Sequence, residues 1–146
     1  MTTSTATRCG VVVIDASARS RCRSPAVAAR LSAFETTNHV ATCSIVTLER
    51  LYSARSAREF AHVELAESQT RPIQLTRSIA HAAIGALRKL SEVSDGYHRV
   101  KITDALIAAA AQEAGADIVH YDRHFDRLSE VMDFESIWLA PAGSLT

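Results

Sequence analysis

The stretch "ITDALIAAAAQEAGADIVHYD", residues 102 to 122, constrains the fold more than any other part of the chain. Residues 105 to 111 are apolar at every position, so a helix there has no side to turn toward water. It must lie against a sheet and carry another element over it. Thr103 is the expected N-cap and Gly115 the expected C-terminal stop. "ADIVHYD" then reads as a strand that ends at Asp122.

A second such strand stands near the start. "VVVID" is a continuous β-branched run ending in Asp15, the pattern of a central strand in a parallel sheet covered on both faces. Ser24 followed by Pro25 signals a helix start, with Val27, Leu31 and Phe34 at helical spacing to about residue 36. "HVATC" leads to Ser44 as an N-cap, after which Ile45, Leu48 and Tyr52 predict one apolar helix face, bordered by Glu49. "SAREFAHVELAES" can continue as helix, and "RPIQL" reads as a strand weakened by Pro72. Thr76 opens a helix to about residue 91, and "ESIWLAP" is the last strand. Strands alternating with helices imply an α/β sandwich with a mostly parallel sheet, whose ligands bind at the carboxyl ends of the strands. Asp15 and Asp122 both belong at those ends.

At 146 residues the chain suits one domain, read here as residues 11–146 after a disordered lead-in over residues 1–10. Formal net charge is zero, so no global basic field announces a nucleic-acid partner, and any such partner must be held locally. Three cysteines without C-x-x-C spacing suggest neither a disulfide framework nor a zinc site. "MTTSTATRCG" is polar and "VVVI" is too short for a signal-peptide core or a membrane span, so a cytoplasmic protein is expected.

Four carboxylates occupy unusual positions: Asp15 and Asp122 at strand ends, Glu49 beside an apolar helix face, and Asp104 at the head of the all-apolar helix. Singly, each has an ordinary explanation as a turn residue, a helix-dipole partner or a group reaching solvent. Together, unpaired buried carboxylates would be costly, and a divalent cation removes that cost. Oxygen ligands with no cysteine and no organised histidine pair favour Mg²⁺ or Mn²⁺ over zinc. Hydrolysis of a phosphodiester is the chemistry such a site suits. A nucleotide-binding reading lacks a Gly-rich loop after the first strand.

"VVVIDASA", "CSIVTLERLYSARS", "ITDALIAAAAQEAGADIVHYDRHFDRL" and "WLAPAGS" resemble, in order and over roughly residues 11 to 144, the motifs of the PIN-domain family, most closely its VapC-like toxins. The resemblance implies a PIN-like three-layer α/β sandwich and a Mg²⁺- or Mn²⁺-dependent endoribonuclease acting on RNA of the tRNA or rRNA class. It also implies a homodimer and inhibition by a cognate VapB-like antitoxin. Asp15, Glu49, Asp104 and Asp122 match the family's four acidic positions and are the expected metal-binding and catalytic residues; Ser17 matches a hydroxyl position beside the first. Two positions depart from the pattern. His124 stands where many relatives carry a further carboxylate, and Lys101 and Ile102 stand where a proline often precedes the third aspartate. Imidazole is a poorer Mg²⁺ ligand than carboxylate, which raises the alternative of a PIN-fold module that binds RNA or antitoxin through a weakened site. Asp126 is a candidate replacement one helical turn on. Arg19, Arg21, Arg23, Arg55 and Arg58 would, if they ring the crevice, grip an RNA backbone.

Overall fold

The computed structural model describes residues 10–145; the expected lead-in over residues 1–10 falls, Gly10 apart, outside the described residues. The elements run β1 (Val11–Ile14), α1 (Ala16–Arg19), α2 (Pro25–Thr37), β2 (His39–Thr42), α3 (Ser44–Tyr52), α4 (Ala57–Ser68), β3 (Arg71–Pro72), α5 (Arg77–Val93), α6 (Ile102–Ala114), β4 (Asp117–His120), α7 (His124–Ser129) and β5 (Ser136–Trp138). The sheet has the order β3-β2-β1-β4-β5, and every neighbouring pair is parallel. From β1 the chain builds outward through β2 and β3, then returns to place β4 on the other side of β1. That reversal opens a crevice at the carboxyl ends of β1 and β4, where a parallel α/β sheet binds its ligand.

Alternate residues of the central strands feed two cores. Val12 and Ile14 of β1 and Val119 of β4 pack with Ala18, Leu31 and Leu139 under α1 and α2. Val13 and Ile118 face the other way, into a larger cluster with Val46, Ile79, Leu90, the α6 alanines, Phe125 and Leu128. The expected three layers are therefore present. Ala105 and Ile107 to Ala111 are all buried, so α6 is covered as its sequence requires. Gly115 closes it in the left-handed conformation, φ 66°, which glycine adopts without a Cβ penalty.

Several boundaries differ from expectation. Lys101, not Thr103, is the N-cap of α6, and Cys43, not Ser44, that of α3; neither makes a side-chain cap bond. β4 stops at His120, so Asp122 lies in the turn beyond it. β3 is only two residues long, as Pro72 cannot donate to the sheet. The largest correction concerns α3. Its inner face carries Ile45, Val46, Glu49 and Arg50, whereas Leu48 and Tyr52 are 62% and 92% exposed. A hydrophobic count missed this because part of the inward face is polar.

Arg50 explains why that face turns inward. Its Nη1 lies 2.8 Å from Glu67 Oε2, while Glu67 Oε1 accepts hydrogen bonds from the hydroxyls of Thr42 at 2.9 Å and Thr47 at 2.8 Å. Glu67 is buried, so α3, α4 and β2 are joined by a carboxylate whose oxygens are all engaged. Removing one partner of a buried pair leaves an uncompensated charge. With Arg50 itself 16% exposed, Arg50→Met is expected to lower unfolding free energy by about 3 kcal/mol, the low end for breaking a buried pair, read as a fall in urea midpoint at unchanged slope. A midpoint equal to wild type would refute this role.

Candidate metal centre

Each of the four carboxylates is delivered by a different element. Asp15 follows β1 directly; its amide donates to the Val119 carbonyl at 2.9 Å, and its Oδ2 accepts from the Ser17 amide at 3.0 Å as the N-cap of α1. Ser17 Oγ accepts in turn from the Tyr121 amide at 2.9 Å, which ties the head of α1 to the turn after β4. Glu49 comes from the inner face of α3, and Asp104 from the first turn of α6, where the helix dipole favours negative charge. Asp122 is positioned by its amide, which donates to His120 Nδ1 at 3.0 Å.

These residues line an open crevice of about 550 Å³, together with Arg21, Leu48, Tyr52, Lys101 and Tyr121. Oxygens of Asp15, Glu49 and Asp104 lie within 4.8 Å of one another. Asp15 Oδ1, Glu49 Oε1 and Asp104 Oδ2 are each buried with no hydrogen-bond partner among the described residues. A bound cation would offset the desolvation and repulsion of three orphaned carboxylate oxygens drawn together from three elements. All-oxygen donors with room for water suit Mg²⁺ or Mn²⁺. A larger hollow of about 750 Å³ beside β3 lacks this chemistry: the acid that faces it from within the core, Glu67, is already paired.

The electrostatics follow from burial. Asp104 is pushed up to about 8, chiefly by burial and then by the charges of Asp15 and Asp122. Burial also raises Asp15, against the opposing hydrogen bonds from Ser17, and raises Glu49, with Asp15 adding to the effect. Asp122 differs. Burial pushes it up, but the hydrogen bonds from Lys101 and from the His124 amide, with the charge of Lys101, outweigh that and hold it below the usual range. Lys101 Nζ stands 2.7 Å from Asp122 Oδ2.

All four expected carboxylates thus meet in one crevice, although Asp122 is engaged by protein donors and the other three carry the orphaned oxygens. His124 does reach the crevice: its Nδ1 accepts from the Lys101 amide at 3.1 Å and lies 3.5 Å from Asp104 Oδ2. Asp126 does not replace the missing acid. It is turned away, accepting from Ser136 Oγ at 2.8 Å and from the Trp138 indole at 3.1 Å. His120 is fully buried between Phe125 and Trp138, with Nε2 2.6 Å from Ser136 Oγ and Nδ1 on the Asp122 amide, so both ring nitrogens are used. Burial lowers it to about 4.

The arginines do not form a ring. Among the five, Arg21 lines the crevice, its guanidinium 5.0 Å from the Tyr121 ring centroid, while Arg19 pairs with Glu35 at 3.5 Å and Arg55 with Glu59 at 3.5 Å. In the sequence Lys101 stands out only as a departure from a motif; its nearness to Asp122 is a tertiary contact across 21 residues that no local pattern signals. Helical spacing likewise puts Tyr52 on an apolar face with Ile45 and Leu48, whereas it stands exposed at the crevice mouth.

The PIN domain family model matches residues 12–131. Ribonuclease VapC18 of Mycobacterium tuberculosis is 34% identical over 92% of this chain and 99% of its own length, and Ribonuclease VapC51 of the same species is 35% identical over 91% and 96%. Among solved structures, DNA-bound VapBC from Salmonella typhimurium superposes with a TM-score of 0.69 at 19% identity, covering 88% of this chain and 98% of that one. VapBC2 from Rickettsia felis, bound to a promoter DNA fragment, gives 0.65 at 18% over 88% and 96%. No helix of the described residues is long and apolar enough to cross a membrane. The strand-end crevice, the acids gathered in it and full-length relatives of this similarity agree, and the chain belongs to the PIN-domain family, in its VapC ribonuclease branch.

Proposed function

We infer that the protein is a metal-dependent endoribonuclease of the VapC type, the toxin of a toxin–antitoxin pair, and that it hydrolyses RNA phosphodiester bonds. The observation that carries this reading is the set of orphaned oxygens on Asp15, Glu49 and Asp104. A site that had lost its metal would have no reason to retain three acids that each keep a buried oxygen without a partner, so the alternative of an inactive binding module gains no support. Relatives named VapC ribonucleases and neighbours solved as VapBC complexes support the substrate class and a VapB-like antitoxin as partner. Exposed Leu48 and Tyr52 at the crevice mouth supply apolar surface for such a partner or for a second copy in a homodimer.

In this reading Asp15, Glu49 and Asp104 hold Mg²⁺ or Mn²⁺, with Asp122 completing the acidic wall. A bound divalent ion would supply Lewis-acid neutralisation of phosphate charge and a water of lowered pKa. The chain's own residues do the rest. Ser17 fixes Asp15 through its amide and binds the Tyr121 amide through its hydroxyl, keeping the ends of β1 and β4 at one spacing. Arg21, propped on Tyr121, offers a guanidinium to an RNA phosphate at the rim, and Tyr52 offers a ring for a base to stack on.

Two expectations follow. Purified protein should cleave structured RNA with Mg²⁺ or Mn²⁺ and stop with a chelator; Asp15→Asn should lose more than the roughly 100-fold typical of an outer-shell defect, and undiminished cleavage by that variant would sink the assignment. The second concerns stability against pH. Because the folded-state value of Asp104 is raised to about 8, its favourable contribution is complete below the ordinary carboxylate value and is lost as pH climbs through about 8. Asp122, held low, acts in the opposite sense: its contribution is present at neutral pH and lost on acidification. Mn²⁺ should therefore raise the melting temperature more at pH 8.5 than at pH 5.5. Asp104→Asn should raise the metal-free melting temperature at pH 8.5, by about 3 °C for each kcal/mol relieved, and should abolish the metal-induced shift. Equal metal shifts at both pH values would contradict the assignment of Asp104.

A further inference from the structure

The crevice contains two overlapping groups of metal-binding atoms that share Asp104: one with Asp15 and Glu49, the other with Asp122 and His124. They are not equivalent. In the first, each residue keeps an orphaned oxygen. In the second, Asp122 Oδ2 is bound to Lys101 Nζ at 2.7 Å, Asp122 Oδ1 accepts from the His124 amide at 3.0 Å, and His124 Nδ1 accepts from the Lys101 amide at 3.1 Å. Of that group, Asp104 alone retains an open oxygen, and the first group already claims it.

We propose that the Lys101 ammonium takes the place of a second divalent cation on the Asp122 side of the crevice, so that the site loads one metal ion per chain and faces the scissile phosphate with that ion and a fixed ammonium. This rests on the metal-dependent reading given above.

The local structure supports it. Lys101 is the N-cap of α6 with non-helical backbone, φ −59° and ψ 134°, and its carbonyl accepts from the Ala105 amide at 3.1 Å, so its Cα is anchored where the helix begins. The side chain reaches Asp122 from there. It is 61% exposed, whereas that of Asp122 is 14% exposed, so the ammonium closes the carboxylate from the solvent side while remaining accessible. An ammonium has three donors, and Asp122 occupies one of them. The others can meet a phosphate oxygen.

The charges agree with one metal. Four carboxylates against one dication and one ammonium leave one net negative charge, which the Arg21 guanidinium in the same crevice offsets before the phosphate enters. A second dication would have to displace the ammonium or sit against it. It would also inherit an imidazole where an oxygen ligand suits Mg²⁺ better. Lys101 and His124 thus act in the same direction: both turn the Asp122 side from a metal site into a protein-held cation site.

The test is a count of bound metal on the full chain. Mn²⁺ is titrated by calorimetry, with free Mn²⁺ followed by electron paramagnetic resonance, into wild type, Lys101→Met, Lys101→Arg and Asp15→Asn, each first shown by thermal melting to be folded. The expected result is one equivalent for wild type and for Lys101→Arg, two for Lys101→Met with the second weaker, and loss of the tight equivalent in Asp15→Asn. Two equivalents in wild type, or a single unchanged equivalent in Lys101→Met, overturns the role of Lys101 while leaving the metal centre intact. No binding to wild type at millimolar Mn²⁺ overturns the metal centre itself, and the inference with it.

Discussion

The structure depends on the burial of α6 against the sheet. The middle of α6, residues 105–111, has no polar face and can be stable only if covered on all sides, and its alanines let the sheet and α5 approach it closely. The chain leaves α6 through Gly115 and returns as β4, so the helix start stands beside the strand end. Asp104 and Asp122 are brought together by that geometry before any electrostatic preference acts. The parallel pairing of β1 with β4 then adds Asp15, whose amide continues the ladder onto Val119.

Hydrophobic packing therefore assembles a cluster that electrostatics opposes. Asp15, Glu49 and Asp104 are all pushed up by desolvation, and their neighbours worsen it. Such opposition between packing and charge marks a site where function is held at the expense of stability. The chain resolves the conflict differently on its two sides. Lys101 and the His124 amide satisfy Asp122 from within the protein, while each of the other acids keeps one buried oxygen without a partner.

The buried Glu67, by contrast, has both carboxylate oxygens engaged. Glu67 is as well buried as the crevice acids yet receives two hydroxyls and a guanidinium. It serves to hold α3 against α4 and β2. In doing so it rotates α3 so that Glu49 points inward and Leu48 and Tyr52 point out, which links a structural ion pair to the composition of the crevice mouth.

By itself the sequence determined the α/β class, the two central strands, the buried helix and all four acids, because each is written in local pattern: β-branched runs, unbroken apolarity and carboxylates at element ends. Only the tertiary structure decided which of those acids lack partners, that Lys101 reaches Asp122, that Asp126 turns to Trp138, and which face of α3 is inward. Hydrogen bonds and ion pairs between residues far apart in the chain are short-ranged and directional. They depend on how the packed elements bring side chains within reach, and a linear pattern carries no record of that distance.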